Sequence, residues 1–384
     1  MYWFSWIPGL GHIKIGQRRK GIVVLVIAVL FVALAIWNAG AMASAVKHTV
    51  DKLSGSQVSY TGRDFDLLFS TFFVTLSLVT LVAYSGFSCR RHVRRKGKER
   101  ETVGQWHIVW RQFRKNRLAV LGLWIILVLY LVAILCPLIA PHDPTFQGNR
   151  VLGRLLEPSL EHPLGTDKFA RDVLSRIIYG SRISLLVGFL AIGIAVTVGT
   201  LFGAVAGYVG GRLESVLMRF VDMMISLPTL VLIITVLALW RNQSIWIVIT
   251  VIGLTSWMGV ARLVRGQFLV LKEREFFQAA KALGAGPIRL ITRHLLPNAL
   301  TPVIVSATLG VGNTILLEAG LSFLGLGVQP PTPSWGNIVY DTRGNIFSEW
   351  WMSLSAGLAI LVTVVGYNLL GDGMRDALDP RLRD

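Results

Sequence analysis

The sequence predicts an all-α polytopic membrane protein, and three observations carry that prediction. Hydrophobic residues make up 53% of the 384-residue chain and charged residues only 15%, where a soluble domain carries about a quarter. The apolar residues gather in runs of about 20, the length that crosses roughly 30 Å of hydrocarbon at 1.5 Å per residue. The basic residues lie between the runs: 38 Lys and Arg stand against 21 Asp and Glu, a net charge of +17. Such an excess alone suits nucleic acid as well as a membrane surface, so its distribution decides.

The runs fall at 21–37, 66–88, 118–140, 185–208, 217–240, 244–264, 299–325 and 351–371. Positive residues are retained in the cytoplasm. With both termini inside, segments 1–20, 89–117, 209–219, 262–298 and 372–384 hold 27 of the 38 basic residues, and the outer loops hold the remaining 11. The prediction is therefore eight spans with both termini cytoplasmic, no nucleic-acid partner, and a division into an accessory N-terminal pair (1–95), a basic cytoplasmic linker (96–117) and a six-helix core (118–384).

Taken in order, Arg18-Arg19-Lys20 precedes the first run without a small-residue cleavage site, which predicts a retained anchor rather than a signal peptide. After the second run, Arg90-Arg91-His92-Val93-Arg94-Arg95-Lys96-Gly97-Lys98 reads as a topology determinant in contact with anionic lipid. Cys89 and Cys136 have no CxxC and no neighbouring His, so they read as small apolar residues. The outer loop 141–183 contains Pro141-His142-Asp143-Pro144 and His162-Pro163-Leu164-Gly165-Thr166-Asp167, and its amphipathic stretch Asp172 to Leu186 predicts a short helix on the outer face. Gly188, Gly193, Gly199, Gly203 and Gly207 mark the fourth run for close helix packing. Arg219 and Asp222, three apart in the fifth, read as an intrahelical ion pair. The loop 326–350 carries Pro330-Pro331-Thr332-Pro333 and ends at Trp350-Trp351, a pair suited to the interfacial aromatic belt.

The segment 262–298 is the richest in signal. Residues 273–283 favour helix with Glu273 and Glu275 in the first turn, Gly284 to Gly286 forces a turn, and Pro287 suits the first position of a second helix. Ala279, Ala280 and Gly284 leave room for close approach by another protein, and Phe276, Phe277 and Leu283 can fill a groove. A connector lying on lipid is the alternative. In the seventh run, Glu318 is an ionisable residue at membrane depth, costly unless functional or paired. Together with Asn313 it is the candidate pore or substrate residue; pairing with a backbone group or a partner subunit is the structural reading.

Several chemistries are unsupported. There is no GxxxxGK[ST] for phosphates and no HExxH for a metal, and the seven His are scattered along the sequence without a close ligand pair. Gly9-Leu10-Gly11 and Gly310-Val311-Gly312 lack the strand and helix context of a dinucleotide site. No catalytic residue, cofactor site or metal site is expected on this chain. A secondary transporter would show related halves with broken helices and midplane coupling residues, and no such repeat is detectable.

Gln278-Ala279-Ala280, Gly284 and Leu296-Pro297 have the spacing of the EAA loop of ABC importer permeases, which the segment 266–298 resembles; Gln278 stands where Glu is usual and His294 where Ile is usual. The similarity extends from about residue 105 to the end. It narrows to the C-type permease subunit of the dipeptide/oligopeptide/nickel branch through His162-Pro163-Leu164-Gly165-Thr166-Asp167, Arg171-Asp172-Val173-Leu174-Ser175-Arg176, Leu321-Ser322-Phe323-Leu324-Gly325-Leu326-Gly327 and Gly371-Asp372-Gly373-Met374-Arg375-Asp376. The resemblance implies a type I importer core in a prokaryotic cell membrane, importing peptides or else nickel or another small solute. It further implies a heterodimer with a second homologous permease subunit. One or two ABC ATPase subunits would carry ATP and Mg, and an extracytoplasmic solute-binding protein would dock on loops 141–183 and 326–350. ATPase coupling would fall to Phe276, Phe277, Gln278, Ala279, Ala280, Leu283, Gly284, Leu296 and Pro297.

Overall fold

In the computed structural model, residues 105–149, 152–239 and 244–379 are described; the runs 21–37 and 66–88 and the basic stretch 90–98 lie outside them. The described residues are helical, with no strand among them and a single bridge between Thr166 and Asp172. In chain order the helices are α1 Gln105–Lys115, α2 Arg117–Ile139, α3 Val173–Val209, α4 Gly211–Ser226, α5 Thr229–Leu239, α6 Ile245–Lys272, α7 Glu275–Ala282, α8 Pro287–Arg289, α9 Leu296–Phe323, α10 Trp335–Asp341 and α11 Trp350–Leu378; a π-helical turn, Leu290–Leu295, joins α8 to α9. Each of the six apolar runs after residue 117 is helical. Five helices are long and apolar enough to cross a membrane, and α4 with α5 forms a sixth only as a pair bent by 84°.

Three boundaries differ from expectation. The outer amphipathic helix is absent as a separate element, because Asp172 caps one continuous 37-residue α3 with its carboxylate on the Ser175 N–H. Arg176, Arg182, Ser175, Ser181 and Ser184 lower the hydropathy of its first turns, yet all are buried in protein rather than facing solvent. The fifth run is broken at Leu227 and Pro228, since proline disfavours helical backbone in the residue before it and Leu227 is extended with ψ 131°. The second helix of the 262–298 segment does not stop before the seventh run: Pro287–Phe323 is one helical rod of 37 residues, with the π turn inside it.

Glycine sets how closely the long helices pack. A Cβ at Gly199 would lie 2.5 Å from the Trp257 carbonyl oxygen, and one at Gly203 would lie 2.4 Å from that of Ala261, so this stripe of α3 lies directly on the α6 backbone. Gly188 makes room for the Ile315 side chain of α9, whereas Gly193 faces open space. The contact between α2 and α11 uses Gly122 against the Gly366 carbonyl. The bundle thus has two ends: α7, α8 and the C-termini of α3 and α6 form one, and α10 with the segment preceding α3 forms the other.

Candidate functional site

At the α7 end, the helix Glu275–Ala282 is held to the bundle through one face. Phe277 is 3% exposed in a cluster with Val260, Val264, Phe268, Leu290, Leu295 and Ala299, contributed by α6, the π turn and α9. Ala280 and Leu296 pack against the same cluster. Gln278 Nε2 donates to the Lys272 carbonyl at 2.8 Å, closing the end of α6; Lys272 Nζ donates to the Gly207 and Tyr208 carbonyls at the end of α3. Phe277 therefore anchors α7 and does not fill an external groove. The residues α7 and α8 present outward are Phe276, Ala279, Leu283 at 88% exposure and Ile288 at 79%. Pro297 lies exposed in the first turn of α9.

Gly284 has a backbone reason for its place. Its φ is +79°, and the Ala285 N–H bonds the Ala280 carbonyl at 3.1 Å while the Gly284 N–H bonds that of Lys281 at 3.0 Å. This is the Schellman ending, which requires the left-handed conformation that glycine adopts without a Cβ clash. A Cβ there would meet nothing within 4 Å. Asp222, expected to pair with Arg219, instead accepts from Arg262 on α6 at 2.6 Å, an exposed pair worth little in stability. Its partially buried counterpart joins Arg265 Nε to Glu214 at 2.6 Å.

Glu318 and Asn313 are not brought together. Asn313 is exposed on α9. Glu318 is fully buried, accepting from Ser322 Oγ at 2.7 Å and Ser184 Oγ at 3.4 Å. Ser184 Oγ in turn accepts the Trp335 N–H of α10, and Ser322 Oγ that of Val328. The carboxyl thus ties α3, α9 and the approach to α10 into one hydrogen-bonded hub, which meets the cost of burying a polar group by pairing it.

The α10 end carries a charge network that the sequence reading did not assemble. Asp167, fully buried, uses Oδ1 to cap its own turn through the Phe169 and Arg171 N–H groups, and Oδ2 to accept Arg171 Nε at 2.6 Å and Arg176 Nη1 at 2.5 Å. Asp341 of α10 accepts Arg176 Nη1 at 3.0 Å and Lys168 Nζ at 2.9 Å. Burial alone would raise the Asp341 carboxyl, but Arg176 and Lys168 outweigh it and hold it below the usual range. Burial, and then Arg176, pull the Arg171 guanidinium down while Asp167 opposes them. Asp167, Arg171 and Arg176 stood in stretches already singled out; Asp341 lies 165 positions from Arg176, with no local signal to connect them. Trp351, expected in an aromatic belt, is instead 5% exposed in a core with Val173, Ile338 and Met352; its neighbour Trp350 is exposed.

The scattered His residues also need correction. The fold places His142 and His162 beside Asp172, with one ligand atom from each of the three within 4.8 Å of the others.

Comparison with known proteins shows what the chain is similar to. Residues 199–384 match the family described as binding-protein-dependent transport system inner membrane component, and residues 104–158 match the N-terminal transmembrane domain of oligopeptide transport permease C. The dipeptide transport system permease protein DppC of Alkalihalophilus pseudofirmus is 42% identical over 283 residues, covering 73% of this chain and 91% of the relative. The oligopeptide transport system permease protein OppC of Bacillus subtilis is 36% identical, covering 74% and 92%. The glutathione transport system permease protein GsiD of Escherichia coli is 39% identical, covering 72% and 91%.

Proposed function

Because the chain belongs to the family of binding-protein-dependent transport system inner membrane components, as a permease subunit of an ABC importer, we propose that it forms half of a translocation path for di- and oligopeptides and couples that path to ATP hydrolysis on partner subunits. The α7 end faces the cytoplasm, where one or two ABC ATPase subunits bind ATP and Mg. The α10 end faces outward and receives an extracytoplasmic solute-binding protein. A second homologous permease subunit completes the path. This chain contributes no catalytic residue.

The observation that carries the coupling role is the division of labour on α7 and α8. Leu283 and Ile288 are offered outward while Phe277 is locked into a core shared with α6 and α9. A groove that grips the exposed pair displaces Phe277 with it, and close-packed interiors transmit such shifts instead of absorbing them. The rod Pro287–Phe323 carries the displacement toward Glu318 and thus toward α10. Two states of the path are then biased from a distant nucleotide site, as coupling requires. In this reading Glu318 positions helices, and Asn313, exposed on α9, is the residue available to the path.

The test is the assembled transporter in liposomes, supplied with a panel of dipeptides, oligopeptides and Ni²⁺. Uptake and stimulated ATP hydrolysis should follow the peptides. Accumulation of Ni²⁺ alone would overturn the cargo, and uptake independent of ATP would overturn the coupling.

A further inference from the structure

We propose that His142, His162 and Asp172 form a binding site for a divalent first-row transition ion, with Zn²⁺ the best chemical match. His162 Nδ1 lies 3.0 Å from Asp172 Oδ1, and His142 Nδ1 lies 3.9 Å from Asp172 Oδ2. The two imidazoles face each other at 4.9 Å between ring centroids. Around a tetrahedral ion with bonds of about 2.0–2.1 Å, ligand atoms sit roughly 3.4 Å apart, so small side-chain rotations close the set.

His142 Nδ1 supplies the independent signal. It is shut off from solvent and has no hydrogen-bond partner, an unusual state for a buried nitrogen that a coordinated cation would resolve. The main chain around the cluster is already fixed, as a preorganised site requires. The His142 N–H donates to Ser175 Oγ at 3.0 Å, and the His162 N–H donates to Ser159 Oγ at 3.1 Å. The His162 carbonyl accepts from Ser159 and Gly165, and Asp172 Oδ2 accepts the Ser175 N–H at 2.7 Å, leaving Oδ1 for the ion.

The ligand set selects the metal. Two imidazoles and one carboxylate suit Zn²⁺, Ni²⁺ or Cu²⁺, whereas Mg²⁺ and Ca²⁺ want oxygen ligands. Side-chain exposures of 37% at His142 and 18% at His162 admit an ion from solvent and leave a coordination position for water. Bound there, the ion staples the segment following α2 to the N-cap of α3, beside the Asp167 network. Its ligands are 20 and 10 residues apart in sequence, which is why no motif announces them.

The experiment uses the tag-free transporter complex in nanodiscs, stripped with chelator, with Zn²⁺ measured by equilibrium dialysis and Co²⁺ by visible absorption. Wild type should bind one Zn²⁺ per permease chain that excess Mg²⁺ does not displace, and should give the ligand-field bands of coordinated Co²⁺. Both should be lost in His142→Ala, with affinity weakened by about 100-fold or more. The His142 side chain has no hydrogen bond to lose, so metal-free unfolding of that variant should match wild type; His162→Gln is the second variant. Equal binding by wild type and both variants, or none at about 100 μM Zn²⁺, would overturn the proposal and leave His162 and Asp172 as a hydrogen-bonded helix cap. Either outcome is independent of which solute the transporter carries.

Discussion

Arg182 shows how one buried cation can be a structural necessity. Pro137 lies inside α2 and has no N–H, so the carbonyl four residues earlier, Ala133, is left without its helical donor. Arg182 Nε fills that vacancy at 2.6 Å, and Nη2 reaches the Ile134 carbonyl at 3.2 Å. A charge that looks misplaced near an apolar run is thus matched to a proline 45 positions away in the sequence. Arg182→Met should destabilise the folded permease by about 1–3 kcal/mol, the cost of leaving buried carbonyls unsatisfied. Pro137→Ala restores the missing N–H, so Arg182→Met should cost less in that background, with a coupling of about 1 kcal/mol in a double-mutant cycle on thermal or denaturant unfolding. Strict additivity would show that the two residues do not share the carbonyl.

Among the elements, α7 joins a stability role on one face to the proposed docking role on the other, and substitution separates them. Phe277→Ala empties a buried position and should cost about 3–5 kcal/mol locally, releasing α7 from α6 and α9. Leu283→Asp changes an 88%-exposed side chain and should leave unfolding of the isolated permease within about 0.5 kcal/mol of wild type while abolishing ATPase recruitment. Co-purification of ATPase and permease, measured beside the melting temperature, distinguishes the two. An unchanged complex with Leu283→Asp would remove this face from the interface. The sequence made α7 legible because Ala, Gly and Pro punctuate it, and it made the long helices legible because lipid-facing apolar runs have a fixed length. It did not reveal that residues 173–184 belong to α3. Hydropathy reads Arg176 and Arg182 as solvent-facing, whereas each is buried among partners supplied by other segments. The pairing of Asp222 with Arg262 escaped for a related reason, since it depends on how α4 meets α6; the break at Pro228, by contrast, has a local signal in the proline itself, overridden in the reading by the apolar run around it. Asp341, His142 and His162 are likewise joined to their partners only by the fold.

At the scale of the whole molecule, the family matches lie within residues 104–158 and 199–384, and the relatives are covered to about nine-tenths of their length by roughly three-quarters of this chain. The part of the chain that matches the family models therefore lies after residue 103. The helices that follow are tied to one another: α1 packs through Val109 and Phe113 on Ala119 and Ala377, and Asn116 caps α2 while its amide donates to Asp376 near the end of α11. Arg111, Arg114 and Lys115 remain just before α2 and Arg117 opens it, enough positive charge to retain that end in the cytoplasm. If the runs 21–37 and 66–88 are two spans, as the sequence predicts, their removal together leaves the orientation of those that follow unchanged, so a chain starting at Thr102 should insert with the same topology. Cysteine accessibility reads this directly: Phe347→Cys and Leu283→Cys, at 95% and 88% exposure, should label respectively from outside and only after permeabilisation, in both lengths of chain. The shortened permease should bind its partners and transport peptide, with any loss appearing as lower assembly yield. A shortened chain present at normal level, correctly oriented and bound to its ATPase, yet unable to transport, would show that the first hundred residues belong to the working path.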